Sequence, residues 1–541
     1  MDQEVDGSTP SGCIINQIQG LNMAKLAQAR LPRGFRDIFS DDYKLRREMI
    51  DKIRAIYESY GFEPLETPAV EFVETLGKFL PESDQPDQGI FAFQVDQMWH
   101  ALRYEFTASL SRIMAMYNDI PRPFRRYQVG PVWRLEKPGP GRFREFYQFD
   151  VDTVGSPLMA CDAEICMVLA DSIEALGFNR DEYVIKVSNR KILDGLIDII
   201  MGKSGSDQSK KQVTEWFKAR HNNVKDNKIE VTPELEHEHK LDIMRTIDKL
   251  DRIGIEGITQ LLQKGRRDDT GDFKSGCFLT DDQITPIIAF LKLDCSSRAK
   301  YLEGVAKLEL AEIGREGLDE LREINVFLSG AGYDENRIVF DTQIVRGLSY
   351  YTGPVYEIFL KIETTDDQGK PVQFGSVGGG GRYDNLVMRF TGQKMPATGA
   401  SIGVDRLLLA YKNKVQDTPK TATQVLVTVM DRPRLAEYQQ MANELRQAGI
   451  PTELFLGKKG IGAQTKYADQ RGIPIAVIAG EDEFTAGVVT LKDLKLGAEL
   501  ASDITDRDDW RKGQPAQIQV KRSELIPAVK GILERNRKHS K

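Results

Sequence analysis

The chain has 541 residues, more than a single hydrophobic core organises, so we expect three or four domains. Hydrophobic residues make up 40 % and charged residues 29 %, and no run of eighteen apolar residues occurs, which predicts no membrane-spanning helix and no membrane partner. The net charge is −7, from 74 basic and 81 acidic residues, so the bulk charge does not by itself indicate a nucleic-acid partner.

The N-terminus and the cysteines indicate the compartment. Asp2, Glu4 and Asp6 are unlike the basic start of a secretory or transit peptide. The cysteines are odd in number and lack metal-ligand spacing; they are Cys13, Cys161, Cys166, Cys277 and Cys295. We therefore expect reduced thiols with packing roles in a cytoplasmic protein, and no protein-bound metal centre.

Basic residues are concentrated locally. Between Arg122 and Arg144 there are six arginines and Lys137 against the single acid Glu136, and the stretch from Arg535 is basic as well. Such patches can bind RNA while an acidic bulk limits unspecific contacts. A solvated charged surface has the same signature, so charge alone leaves both interpretations open.

The first predicted elements follow a non-periodic start. Residues 1–30 lack a strong hydrophobic period, and we expect a flexible extension there. Residues 41–60 carry apolar side chains at helical spacing and are followed by Gly61, a common helix stop. Phe62–Val70 has the pattern of an extended chain interrupted by prolines, and Arg103–Tyr117 is again helical in pattern.

Two antiparallel strands are predicted at Phe124–Leu135 and Phe143–Thr153, joined by the loop Lys137–Gly141. Alternate residues of a strand face the same side. One face of the second strand therefore carries Arg142, Arg144, Phe146, Gln148, Asp150 and Asp152. Charges beside an aromatic ring are unusual in a core. A solvated surface is one explanation, but Phe149 on the other face also needs cover, so a concave site for a charged ligand explains more.

The domain organisation follows from changes in texture along the chain. A Lys-, Asp-, Glu- and Leu-rich helical stretch predicts an inserted domain, and a final alternation of strands and helices predicts a small, mainly parallel sheet. The expected boundaries are a flexible extension at 1–30, a first core segment at 31–189, a helical insert at 190–325, a second core segment at 326–411, a linker at 412–422 and a last domain at 423–541. In the insert, His237 and His239 could suggest a metal, but we expect solvated side chains.

Several stretches together resemble the histidyl-tRNA synthetases. Arg134–Glu136, followed by Arg142 and then Phe146–Asp152, resembles motif 2 of that family. Arg346–Gly353 resembles its histidine signature, and Gly399–Arg406 resembles its motif 3. Three further stretches are similar to its amino-acid-binding turn, its Gly-rich strand end and its anticodon-binding domain, and they are Leu102–Thr107, Gly380–Asp384 and Gln464–Asp469. The match runs from about residue 31 to the end, in the right order.

The resemblance implies an α+β fold, namely a class II synthetase catalytic core on an antiparallel sheet with a helical insertion domain and a C-terminal α/β anticodon-binding domain. It implies a cytoplasmic ligase that activates L-histidine with ATP and Mg²⁺ and transfers it to tRNA(His). It also implies a homodimer, with Phe62–Val70 near the subunit contact and Pro68 in the motif 1 position.

By the same resemblance, the ATP-binding residues are Arg134, Glu136, Arg142, Phe146 and Arg406. Arg134 would bind the α-phosphate, Arg406 the γ-phosphate and Arg142 the distal phosphates, while Glu136 and Phe146 would hold the adenine. Arginine suits this role because its planar fork makes two hydrogen bonds to phosphate oxygens and stays charged. Surface ion pairs are the alternative explanation, above all for Arg142.

The histidine-binding residues implied by the resemblance are Glu105, Thr107, Arg134, Gln148, Asp152, Arg346, Tyr350 and Tyr351. Arg346 and Arg134 would be catalytic, with Arg346 contacting both the histidine carboxylate and the α-phosphate. Asp152 and Tyr351 would face the imidazole, whereas Tyr350 is explained equally well as a packing residue. The α-amino group would be held by Glu105, Thr107 and Gln148.

Two positions depart from the family pattern. The loop Lys137–Pro140 lacks the polar side chains that read a base edge, so we expect little or no dependence on the extra 5′ guanosine of histidine tRNAs. Ser349 replaces an acidic residue that is usual in the histidine signature, although its neighbours match. The alternative functions are a non-catalytic paralogue that regulates histidine biosynthesis, a tRNA-binding sensor module and a synthetase for another amino acid. The regulatory paralogues lack the C-terminal domain and motif residues present here.

Overall fold

The computed structural model describes most of the chain and leaves several short segments undescribed. The described residues are 28–77, 89–138, 142–202, 206–220, 229–268, 271–344, 350–365, 371–415, 421–502 and 516–538. Arg346, Ser349, nearly all of the predicted extension 1–30 and part of the loop Lys137–Gly141 lie outside them. No helix in the described part of the chain is long and apolar enough to cross a membrane.

An eight-stranded sheet forms the centre of the larger part of the molecule, with the strand order β1-β5-β6-β13-β12-β11-β7-β10. Its strands are β1 (Glu63–Pro64), β5 (Phe124–Trp133), β6 (Glu145–Val154), β7 (Tyr183–Asn189), β10 (Ile338–Phe340), β11 (Pro354–Thr365), β12 (Pro371–Arg382) and β13 (Ala397–Gly403). All pairings from β5 to β7 are antiparallel, and the short edge strands β1 and β10 pair in parallel. The predicted antiparallel strand pair is confirmed as β5 and β6.

One face of this sheet is covered by helices that bury its apolar residues. These helices include α1 (Ser40–Ser59), α4 (Met159–Ala175) and α13 (Val404–Lys414). On α1 the apolar side chains recur every four residues, so that Met49, Ile53 and Tyr57 are fully buried against the sheet. The chain then turns at Gly61, which has φ +78°, a conformation that glycine adopts without strain. The opposite face of the sheet is left for polar side chains.

A second, small sheet flanks the central one. It has the strand order β2-β4-β3, with strands β2 (Val70–Phe72), β3 (Ala92–Val95) and β4 (Met98–Leu102). Two helices lie beside it, α2 (Val73–Leu76) and α3 (Thr107–Met116). Helix α3 begins later than the predicted Arg103, because the Glu105 carboxylate accepts the backbone N–H groups of Thr107 and Ala108 and starts the helix there.

Helices dominate the predicted insert. They are α5 (Arg190–Met201), α6 (Asp207–Arg220), α7 (Pro233–Ile247), α8 (Leu250–Leu262), α9 (Asp281–Leu291), α10 (Arg298–Ala306) and α11 (Glu312–Gly330), with one hairpin of β8 (Gly265–Arg267) and β9 (Phe273–Ser275). The prediction of solvated histidines is wrong for His239, which is fully buried with Nε2 2.7 Å from the Cys277 carbonyl oxygen. His239 lies on the core face of α7, beside Trp216, whereas His237 points to solvent.

The C-terminal part of the chain has its own sheet and core. The strand order is β15-β14-β16-β17-β18, with β14 (Val425–Val427), β15 (Thr452–Leu454), β16 (Ile475–Ile478), β17 (Val488–Asp493) and β18 (Gln517–Lys521). The helices are α14 (Leu435–Gln447), α15 (Ile461–Gln470), α16 (Glu481–Ala486), α17 (Leu494–Ser502) and α18 (Leu525–Lys538). The short helix α12 (Met388–Thr391) belongs to the part of the chain with the large sheet, between β12 and β13. The predicted, mainly parallel sheet is only half correct, since β16–β17 and β17–β18 are antiparallel. The connection from Ile478 to Val488 is too short for a parallel crossover.

Candidate active site

The polar face of the large sheet forms the floor of a cavity of about 500 Å³. Strand register places Arg126 of β5 opposite Asp152 of β6, and Asp152 opposite Gly399 of β13. Asp150, two residues before Asp152 and on the same face of β6, lies opposite Ser401. Side chains of alternate residues thus line one concave surface, as the equal spacing in β6 predicts.

Glycines create the room above this floor. A Cβ atom at Gly380 of β12 would lie 2.0 Å from the Gly399 carbonyl oxygen, and one at Gly399 would lie 2.0 Å from Asp152 Oδ1. Both distances are shorter than any non-bonded contact allows, so neither position accepts a side chain as the strands stand. The run Gly378–Gly380 and Gly399 line the cavity with backbone only. Gly380 and Gly399 are therefore explained by the close approach of the neighbouring strand and of Asp152.

Most of the predicted site residues meet at this cavity. Those that line it are Glu105, Thr107, Arg134, Gln148, Asp152, Tyr350, Tyr351 and Arg406. Phe146 is not part of the lining, but its ring centroid lies 5.2 Å from the Arg134 guanidinium carbon. Glu136 and Arg142 are exposed and outside the lining, and Arg346 lies outside the described residues.

Two elements fix the arginines of the site. Arg134 follows β5, and its guanidinium carbon lies 4.3 Å from the ring centroid of Tyr104, with Phe146 as the second aromatic neighbour. Arg406 lies in the first turn of α13, and its Nη2 donates to the Phe374 carbonyl oxygen of β12 at 3.0 Å. Aromatic and carbonyl contacts hold each guanidinium in position. The cavity thus carries two positioned cations.

Acidic groups occupy the inner end of the cavity. Asp150 and Asp152 are 4 % and 3 % exposed, and the fully buried Arg126 places Nη2 2.9 Å from Asp152 Oδ2. Burial raises the pKa of Asp150 to about 8, against the lowering effect of Arg126. Burial likewise raises the pKa of Asp152, while Arg126 and the Tyr383 hydroxyl, which donates to Asp152 Oδ1, lower it. Two carboxyl groups face one protein cation, so this end of the cavity favours a ligand that donates hydrogen bonds or carries positive charge.

Glu105 supplies a third carboxyl group at the N-terminus of α3. Its Oε1 accepts the Ala108 N–H at 2.7 Å and its Oε2 accepts the Thr107 N–H at 3.2 Å. Burial raises the pKa of Glu105, and these hydrogen bonds and Arg134 oppose the rise. The helix terminus therefore fixes the carboxyl group beside Arg134, where it can accept from an ammonium group.

Sequence reasoning did not assign several residues that the structure brings to the cavity. They are Asp150, Ser376, Val377, Gly378, Gly379, Gly380, Tyr383, Gly399, Ala400, Ser401 and Gly403. Equal parity with Gln148 and Asp152 already placed Asp150 on the correct face, so that signal was available. Tyr383 had no comparable signal, because its contact with Asp152 joins residues 231 apart in the chain.

A short N-terminal segment connects strand β6 with helix α13, which carries Arg406. Arg36 forms an ion pair with Asp405, the residue before Arg406, and Asp405 Oδ2 accepts the backbone N–H of Tyr147 at 2.6 Å. The Arg36 guanidinium carbon also lies 4.0 Å from the ring centroid of Phe143. The strand β6 and the first turn of α13 are thus joined through one carboxylate that is 5 % exposed.

Replacing Arg36 by alanine is expected to raise the KM for the phosphate-bearing ligand by about tenfold, because loss of the ion pair lets Arg406 move relative to β6. Asp405→Asn should have a similar effect, and the double variant should be no worse than either single one, since all three break the same contact. Steady-state kinetics with both substrates check this. Strictly additive effects, or an equal rise in the KM of the amino acid, would contradict the coupling.

The open face of the mainly antiparallel sheet presents one arginine from a strand–loop–strand unit and another from a strand-to-helix junction. This arrangement defines the catalytic domain of a class II aminoacyl-tRNA synthetase. Similar proteins agree with this geometry. Residues 34–224 and 234–407 match the family described as histidyl-tRNA synthetase, and residues 424–531 match an anticodon binding domain. The chain belongs to the histidyl-tRNA synthetase family.

Individual relatives extend the match over nearly the whole chain. The histidine–tRNA ligase of Roseobacter denitrificans is 48 % identical over 515 residues, which cover 94 % of this chain and 97 % of that protein. The histidine–tRNA ligase of Dinoroseobacter shibae is 48 % identical over 512 residues, covering 94 % and 98 %. The crystal structure of histidyl-tRNA synthetase from Nostoc sp. PCC 7120 has a TM-score of 0.65 and 28 % identity, covering 93 % of this chain and 99 % of that one. The predicted family and fold class are confirmed.

Proposed function

We propose that this protein activates L-histidine with ATP to form histidyl-adenylate and transfers the histidyl group to the 3′ end of tRNA(His). The observation that carries this proposal is the single cavity in which Arg134 and Arg406 face three buried or half-buried carboxyl groups. The two arginines suit phosphate groups, and the three carboxyl groups suit an amino acid rich in N–H groups. A regulatory subunit without catalysis is disfavoured, because curated ligases match this chain over 94 % of its length.

The first chemical step joins the two substrates at the arginines. The histidine carboxylate attacks the α-phosphorus of ATP, a new P–O bond forms, and the bond to pyrophosphate breaks. Negative charge grows on the phosphate oxygens in this step, so positioned guanidinium groups stabilise the transition state more than the ground state. Arg134 is the group we assign to the α-phosphate and Arg406 the group for the γ-phosphate. Arg346, by the family resemblance, would contact the carboxylate and the α-phosphate.

Adenine and histidine would bind at opposite ends of the cavity. Phe146, whose ring borders Arg134, would provide a stacking surface for adenine, and the exposed residues Glu136 and Arg142 would contact the base and the distal phosphates. At the inner end, Glu105, Thr107 and Gln148 would hold the α-ammonium group. Asp152 and Tyr351 would face the imidazole, and Tyr350, which lines the cavity too, would pack beside it.

Mg²⁺ would accompany the polyphosphate. Among the described residues, no group of three or more His, Cys, Asp or Glu side chains is arranged to hold a metal ion. Mg²⁺ usually keeps several waters and is held by substrate phosphates with one or two carboxylates. The ion would neutralise charge on the phosphates when bound, and the residues named above would orient the substrates.

ATP–pyrophosphate exchange with each of the twenty amino acids tests the proposed activation. We expect exchange with histidine alone, and loss of exchange in Arg346→Ala. Charging of a tRNA(His) transcript then tests the transfer step. Absence of exchange with every amino acid would refute the proposal and favour the regulatory alternative.

We further propose that the protein acts as a homodimer through the outward face of the small sheet. Register on β2, β3 and β4 aligns a row of apolar side chains that are 38–50 % exposed, namely Val70, Phe72, Phe93, Val95 and Met98, with His100 among them. A groove of about 750 Å³ continues this face and includes Pro68. A contiguous exposed apolar sheet face is typical of a subunit contact.

Phe93→Glu is expected to convert the dimer to a monomer at micromolar concentration, because a charge at the centre of the apolar row would lose its water on association. Sedimentation equilibrium gives the mass, to be compared with 61.0 kDa for one chain. Leu456→Glu is the matched control, since Leu456 is a 77 % exposed apolar residue of the C-terminal part. A monomeric wild type, or an unchanged mass for Phe93→Glu, would overturn this interface.

The tRNA-facing proposals follow from the same family. The C-terminal part would bind the anticodon, the helical insert would contact the acceptor arm, and the enzyme would act in the cytoplasm. The four cysteines within the described residues are free thiols, which suits a reducing compartment. The motif 2 loop, with Lys137 and Pro138 at its start, offers few base-reading groups, so transcripts with and without the extra 5′ guanosine should be charged at similar rates. A thousandfold difference would refute that independence.

A further inference from the structure

Beneath the cavity lies a charge cluster that the assignments above use only in part. Arg126 on β5 is fully buried, and it faces Asp152 and its neighbour Asp150 on β6. Both carboxyl groups line the cavity, whereas the guanidinium belongs to the wall beneath. One guanidinium faces two carboxyl groups, so the cluster would carry a net negative charge with both ionised, and burial raises the pKa of Asp150 to about 8.

Asp152 has one hydrogen-bond partner and one ionic partner, whereas Asp150, whose pKa is raised by burial and lowered in part by the Ser401 side chain, keeps one oxygen without a partner. Asp152 Oδ1 accepts the Tyr383 hydroxyl, and Arg126 lies at Oδ2. Asp150 Oδ1 is buried and has no hydrogen-bond partner among the residues that the structure describes. Its neighbour on β5, Gln128, directs its amide Nε2 away to Thr67 Oγ1 at 2.9 Å. A buried acceptor without a donor keeps its desolvation cost, and Asp150 lines the cavity from which a ligand could supply that donor.

The position of Asp150 decides which part of the ligand it meets. Asp150 and Asp152, at 4 % and 3 % exposure, are among the most buried residues of the lining, whereas Glu105 and Gln148 are only half-buried. With the ammonium group held by the half-buried pair, the side chain of histidine extends toward the deep pair. Imidazole is the part of that side chain with N–H donors.

We propose that Asp150 is a specificity-determining residue that accepts a hydrogen bond from a ring N–H of the bound histidine. Together with Asp152 it gives an acceptor at each side to the imidazolium form, which carries an N–H on both ring nitrogens, so that a ligand without ring N–H groups leaves a buried carboxyl group unpaired. Sites built in this way reject such ligands strongly, because the unpaired group keeps its desolvation cost. The inference rests on the histidine activation proposed above and adds a residue that the sequence comparison with the family did not assign.

The test measures discrimination between histidine and 2-thiazolylalanine, whose ring has similar size and no N–H. ATP–pyrophosphate exchange gives kcat/KM for each amino acid, first on the wild type and then on Asp150→Ala. Removing the acceptor should lower kcat/KM for histidine by at least about tenfold and leave the value for the thiazole analogue within about twofold, so that the ratio of the two falls by about tenfold. The KM for ATP should stay unchanged.

A structural role for Asp150 gives a different pattern. If the carboxyl group only stabilises the sheet, both amino acids lose activity equally and the ratio stays constant, which overturns the proposal. A fall in the ratio together with a rise in the KM for ATP also counts against it, since the ring contact does not reach the nucleotide. Should Asp150→Ala fail to fold, Asp150→Asn, which keeps one oxygen acceptor but loses the charge and adds an N–H donor, should lower the same ratio. Wild-type exchange with histidine tests the proposed function separately, so the two failures are distinguishable.

Discussion

Replacing Arg134 by alanine should lower kcat for histidine-dependent ATP–pyrophosphate exchange by about 10²–10³-fold, the range seen when one donor to a developing oxyanion is removed. The guanidinium is held between the rings of Tyr104 and Phe146, at 4.3 and 5.2 Å. It is therefore already oriented before the phosphate arrives, and its loss removes stabilisation that exists mainly in the transition state.

The comparison with Arg134→Lys separates charge from geometry. Lysine keeps the positive charge but presents a point charge in place of the planar fork, so it should recover only a small part of the activity. Arg315→Ala, at an exposed arginine of α11, is the matched control and should keep wild-type exchange. Pre-steady-state measurement of adenylate formation reports the chemical step directly. Full activity in Arg134→Lys would mean that any cation suffices at this position, and it would contradict bidentate phosphate binding by Arg134.

The second large effect is expected at Gly399. An alanine Cβ there would lie 2.0 Å from Asp152 Oδ1 and 2.6 Å from the Val151 carbonyl oxygen, so the strand or the carboxyl group must move. Overpacking of this kind costs about 1–3 kcal/mol of stability. The displaced carboxyl group should also raise the KM for histidine by about a hundredfold, because displacements of about 1 Å in such a site have that effect.

Gly531→Ala provides the matched control for the glycine substitution. Gly531 lies in helix α18 with nothing within 4 Å of an added Cβ, so alanine should leave stability unchanged or raise it by about 1 kcal/mol. Thermal unfolding and histidine kinetics on both variants test the pair. A normal KM for histidine in Gly399→Ala would show that Asp152 is not needed where the structure places it.

The elements along the chain were largely predictable. Periodic spacing located α1, and alternation with a Pro- and Gly-rich loop located β5 and β6 as an antiparallel pair. Equal parity then put Gln148, Asp150 and Asp152 on one face before any contact was known. The prediction was wrong where the length of a connection set the direction of strand pairing, as for β17. It was also wrong where tertiary packing buried a side chain that was expected to be solvated, as for His239. The residue pattern along one strand or helix does not show which distant segments of the chain pack against it.

By itself the sequence determined the family and the fold class, because both depend on residue types at short spacing, and it predicted the order of the domains and the arginines of the motifs. Only the tertiary structure decided which charges share one buried space. Arg126, Asp152 and Tyr383 meet across strands far apart in the chain, and glycines of β12 and β13 keep that space open. Their energetic roles come from burial and from the lack of water around them, and these arise only when distant strands pair.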